Sequence, residues 1–97
     1  MRRAAKTDAN QTEIVRALRQ VGAVVKDLSG AGNGVPDLLV GFRKRLFLLE
    51  VKDGNKPPSA RKLTEAEQAF FRQFDGFPVY VVNSTDEAIK TIFNNQH

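Results

Sequence analysis

The sequence contains no cysteine, which excludes disulfides and thiolate metal sites. Its one histidine, His97, is the last residue, so a Ser-His-Asp triad or a His-based zinc centre has little to draw on. No apolar run approaches the roughly 20 residues that cross a bilayer. The opening MRRAAKTDANQTE has no apolar stretch of the secretory kind, and the expectation is a cytoplasmic protein with no membrane partner. Internal repeats and low-complexity segments are also missing. The glycine-rich run SGAGNGV at 29–35 has no Gly-Lys-Ser/Thr ending, and a strand is expected after it where a P-loop has a helix. No nucleotide cofactor is expected.

What is present describes one domain. At 97 residues, 41% hydrophobic and 27% charged, the chain suits one soluble domain with a single core. The net charge of +4 favours a polyanionic partner, although many basic proteins bind no nucleic acid. The distribution says more than the total. Seven of the 15 basic residues fall between positions 43 and 62: Arg43, Lys44, Arg45, Lys52, Lys56, Arg61 and Lys62, opposed there by Glu50 and Asp53. Such a stripe suits backbone phosphates. For Arg43 to Arg45 taken alone, a solvated turn is the better reading.

The informative stretch is GVPDLLVGFRKRLFLLEVK, residues 34–52. It predicts two apolar strands, 37–41 and 46–52, joined by a basic turn over 42–45. Side chains alternate along a strand, so Glu50 and Lys52 share a face. If the strands pair as a hairpin, Asp37 converges with Glu50 and Lys52 at one sheet edge. Two readings are balanced on these residues. One is a salt-bridged strand end. The other is phosphodiester chemistry, with hard oxygen ligands for Mg²⁺, which uses one or two carboxylates and keeps several waters, and a lysine for developing negative charge.

Around this stretch the pattern predicts α-β-β-β-α-β-α. Asp8 with Gln11 opens a helix whose stripe is Ile14, Val15, Leu18 and Val21, with Gly22 as its stop. Residues 1–7 are expected to be a flexible basic tail. Glu13 lies beside the stripe and has two readings, a site at the helix edge or a surface pair with Arg16 or Arg19, the surface pair being preferred. A strand is expected over 23–28. The glycines at 30, 32 and 34 serve either positive φ or a close approach of backbone to a ligand, or a flexible connection. Pro36 delivers Asp37 in extended backbone. The unbroken run Leu46 to Leu49 suggests a strand buried on both faces. Residues 53–63 form a loop, either substrate-contacting or a plain linker. Thr64 with Glu67 caps a second helix carrying Phe70, Phe71 and Phe74, a cluster expected in the core. Gln68 and Arg72 are spaced to share a face of it. Residues 79–83 form a strand, and Ser84 with Glu87 caps a last helix. The fold class is α/β, a mixed sheet flanked by helices.

Pro36-Asp37 followed by Glu50-Val51-Lys52 resembles the PD-(D/E)xK nuclease superfamily, with its αβββαβ restriction-endonuclease-like core. More narrowly, the chain resembles the VRR-NUC family through Glu13, the loop GNGVPD, the strand end LEVK and LTEAEQ at the second helix. This covers roughly residues 8–93, and the length suits a stand-alone bacterial or phage form. The resemblance implies that Asp37 and Glu50 ligate Mg²⁺ or Mn²⁺, one or two ions per site, with the Val51 carbonyl as a further ligand. It implies that Lys52 activates water and stabilises the pentavalent phosphorus, that Glu13 joins directly or through water, and that Gln68 supports the lysine or the substrate. It further implies a homodimeric endonuclease acting on branched DNA, above all four-way (Holliday) junctions, in repair or recombination. A flap or nicking enzyme and a non-catalytic binding module are the alternatives. Arg43, Lys44, Arg45, Lys56, Arg61 and Lys62 are the expected phosphate contacts.

Overall fold

The computed structural model describes residues 9–95. The basic tail, the Asp8 cap and His97 lie outside the described residues. The order is α1 (Ala9–Gln20), β1 (Val24–Asp27), β2 (Leu38–Phe42), β3 (Arg45–Val51), a short 3-10 helix (Pro58–Arg61), α2 (Glu65–Gln73), β4 (Val79–Val82) and α3 (Thr85–Asn94). The α/β order expected from sequence is present. The 53–63 loop contains a 3-10 turn that its composition does not signal, and tandem Pro57-Pro58 starts it because proline suits a first helical position.

Local chemistry sets the element ends. Gly22, at φ 99°, lets α1 close in a Schellman arrangement: Ala23 N–H donates to Leu18 O at 3.0 Å and Gly22 N–H to Arg19 O at 3.0 Å. Thr64 and Glu67 form a complete capping box on α2. The third box is shifted by one residue. Ser84 Oγ accepts the Glu87 N–H at 3.1 Å, but Glu87 Oε1 accepts from the Asn83 N–H at 2.7 Å. The β2–β3 hairpin turns on Arg43 and Lys44, both at positive φ (52° and 68°), as a two-residue type I′ turn requires.

The four strands lie in sequence order in one sheet. The β1–β2 and β2–β3 pairs are antiparallel, and β3–β4 is parallel. Alternation sends Val25, Leu38, Val40, Phe42, Phe47, Leu49 and Val82 to one face, where they meet Ile14 and Leu18 of α1 and Ala88 and Ile92 of α3. That face is the core.

The other face corrects two expectations. β3 is interior to the sheet, but it is not buried on both sides: Leu46 is 63% exposed and Leu48 half-buried. The aromatic cluster is not in the core either. Among its described residues α2 has none fully buried. Phe70 stacks on Phe74 at 4.3 Å, Phe74 meets Phe77 edge-on at 5.9 Å, and Phe77 stays exposed. With α1 and α3 filling one face, the short α2 covers only part of the second.

Candidate active site

The hairpin register places Leu38 opposite Leu49, so Asp37 stands beside Glu50 at the end of the sheet. Leu49 and Val51 face the core, and Glu50 therefore points to the α2 side. The Val51 N–H donates to Asp37 Oδ2 at 2.8 Å, tying the first acid to the strand that carries the second. The Lys52 N–H donates to Val82 O at 2.9 Å, which extends the parallel ladder past β3. Lys52 Nζ is then 3.5 Å from Glu50 Oε2 and 3.0 Å from Glu67 Oε1.

The electrostatics are strained in one direction. Glu50 is 3% exposed. Burial, then the charge of Asp37, pushes its carboxyl up to about 8. Burial also raises Asp37, against the pull of the Val51 N–H. For Lys52, burial opposes the charged form, but Glu67 and Glu50 outweigh it and its ammonium is held above the ordinary range. Glu67 is lowered: its burial is overcome by the Thr64 N–H and by Lys52. The pair Glu67–Lys52 is thus charged, while Asp37 and Glu50 resist being charged together.

Glu50 Oε1 is buried and accepts no hydrogen bond. As an ionised oxygen beside Asp37 it lacks a donor, so a proton or a cation must compensate it. Among the described residues, no set of three or more Asp, Glu, His or Cys side chains is arranged to hold an ion. The paired carboxylates of Asp37 and Glu50 nevertheless have the donor chemistry that a hard cation such as Mg²⁺ or Mn²⁺ takes, and such an ion keeps most of its waters.

The other residues singled out from sequence lie differently. Glu13 is exposed and lines a polar cleft with Asn10, Asn55 and Arg61; the structure does not join it to the Asp37–Glu50–Lys52 group. Gln68 is exposed, and its amide donates to Leu63 O at 3.0 Å. Lys56, Arg61 and Lys62 belong to the loop after β3, where Arg61 Nε donates to Lys56 O at 2.8 Å. Arg43, Lys44 and Arg45 sit at the hairpin tip, five or more rows from the acids, or roughly 17 Å at strand spacing. Their nearness in sequence to the site is not nearness in space. The Arg43 guanidinium lies over Phe42 and Phe93, at 4.9 and 5.0 Å from the ring centres.

Sequence reasoning missed two contributors. Glu67 was recognised as a cap, and nothing in its spacing signals the contact with Lys52. Asn10 donates to the Lys52 carbonyl at 2.7 Å, linking α1 to the end of β3, and a lone asparagine in a helix carries no such signal.

No family model matches the sequence, and no curated protein matches it. Among solved structures the chain is similar to one titled VRR_NUC domain, with a TM-score of 0.64 and 25% sequence identity. The likeness covers 93% of this chain and 100% of that one. The chain therefore has the VRR-NUC fold, and this end-to-end likeness supports the VRR-NUC family as its place.

Proposed function

We propose that the chain is a divalent-cation-dependent DNA endonuclease that cleaves branched DNA, four-way junctions foremost, as a homodimer. The likeness to a VRR_NUC domain implies nuclease activity. The observation that carries the finer reading is the buried, unpartnered Glu50 oxygen beside Asp37 and Lys52. Asp37 and Glu50 would hold Mg²⁺ or Mn²⁺, with the Val51 carbonyl. A bound ion supplies charge for a phosphoryl oxygen and lowers the pKa of a water. Lys52 meets the negative charge that grows on the phosphate as the phosphorus–oxygen bond breaks. The half-buried strand end excludes bulk water from that contact and strengthens it. Lys56, Arg61 and Lys62 bind backbone phosphates beside the site, and the hairpin tip binds phosphates farther along the same DNA. Glu13, from the neighbouring cleft, would join only through water, and Gln68 would support the substrate only by leaving Leu63. Exposed Leu46 and Phe77 line one cleft and support a self-association face; twofold dimers are the commonest oligomers.

A pure phosphate-binding module gains nothing from carboxylates facing its ligand. The test is cleavage of labelled four-way junction, flap and linear duplex DNA with Mg²⁺ or Mn²⁺. Paired symmetric cuts in the junction, lost in Glu50→Ala and in EDTA, are expected. Single cuts in flaps would remove the junction reading, and cleavage in EDTA would remove the cation.

A further inference from the structure

We infer that Glu67 is the positioning residue for Lys52, fixing the ammonium from the first turn of α2; its catalytic meaning rests on the nuclease reading above. Lysine carries its charge on a flexible four-carbon stem, so a catalytic lysine needs something to aim it. Glu50 does this weakly, at 3.5 Å, outside the range of a strong charge-assisted hydrogen bond. Glu67 Oε1 does it at 3.0 Å. The same oxygen accepts the Thr64 N–H at 2.9 Å, and the Glu67 N–H donates to Thr64 Oγ1 at 3.1 Å. The carboxylate is therefore held by the helix cap before it meets the lysine.

The helix turn is itself indexed to the site. Gly34 packs so closely on the backbone of Ala66 and Glu67 that a Cβ there would overlap it. Gly34 belongs to the loop that ends in Pro36-Asp37. One loop thus places the first acid and, through α2, the residue that aims the lysine. Glu67 is only half-buried and α2 adds nothing to the main core, so core packing does not explain why this acid turns toward Lys52. The neighbouring Gln68 is directed at Leu63 instead.

The test compares wild type with Glu67→Ala, Glu67→Gln and Thr64→Ala by ¹⁵N-lysine NMR without DNA or cation, and by steady-state cleavage with both. In wild type the Lys52 ammonium should be motionally restricted. Thr64→Ala keeps the Thr64 N–H and should keep that restriction, Glu67→Gln should weaken it, and Glu67→Ala should release it. Glu67→Ala should lower kcat roughly 10- to 100-fold while KM moves less than about twofold. Thr64→Ala should lose thermal stability comparably but keep most of its kcat. A Lys52 signal unchanged in Glu67→Ala would overturn the inference, as would an equal loss of kcat in Thr64→Ala. A wild type that cuts no DNA would overturn the nuclease reading, and the NMR series would still decide the Glu67–Lys52 contact.

Discussion

The tension in this domain is concentrated in Glu50. A buried carboxyl next to Asp37, raised to about 8 from 4.5, favours the neutral form in the fold. Its stabilising effect is complete below pH 4.5 and is lost as pH rises through about 8. The raised Asp37 acts in the same direction. The lowered Glu67 acts the other way, its contribution being lost as pH falls. The cation-free protein should therefore melt lower at pH 8 than at pH 5.5, and Mn²⁺ should raise Tm more at pH 8. Glu50→Gln removes the charge and keeps the shape. It should raise the cation-free Tm at pH 8 by about 4–8 °C, the shift that goes with about 1 kcal/mol in a domain of this size, and abolish the Mn²⁺ effect. Thermal scans at the two pH values check this; a Tm independent of pH in wild type would contradict it.

At the scale of elements, the loop 29–36 and α2 act together. The sequence reads its glycines as a flexible connection, as positive φ or as a close approach to a ligand. At Gly34 the positive φ is present, at 79°, and the close approach is made to the backbone of α2 instead. Gly34→Ala should cost about 2 kcal/mol or more, from strained backbone and the displaced helix. Urea denaturation would measure it, and a loss below about 0.5 kcal/mol, the range of an ordinary surface change, would mean that the contact is not maintained. The β2–β3 hairpin shows how far sequence carried. Its strands, its basic turn and the meeting of Asp37 with Glu50 were legible, because period-two alternation and pairing need no tertiary knowledge. Grouping Arg43 to Arg45 with Lys56, Arg61 and Lys62 as one stripe takes nearness in the chain for nearness in space, because the length of β3 separates the turn from the acids.

Across the whole molecule, the α-β-β-β-α-β-α order was legible from caps, glycine stops and apolar periodicity. Which face each helix covers was not. The Leu46 to Leu49 run reads as doubly buried because a sequence does not state how much sheet a nine-residue α2 can cover. Phenylalanines at helical spacing read as core for the same reason. The consequence is an exposed apolar row, with Val24, Leu46 and Phe77 each more than 60% exposed, which is where the proposed dimer would bury surface. Leu46→Glu and Phe77→Glu should leave folding within about 0.5 kcal/mol, as for other exposed positions, and shift sedimentation from dimer to monomer. A wild type that sediments as a monomer, or a dimer that survives both changes, would move the interface elsewhere or remove it.

The proposal that Asp37 and Glu50 would hold a divalent cation at the end of β3 is tested most directly by anomalous scattering from crystals soaked in Mn²⁺. The expected result is a peak beside the Asp37 and Glu50 carboxylates in wild type, absent in Glu50→Gln. Mn²⁺ bound only elsewhere, with Glu50 Oε1 still unpartnered, would contradict it.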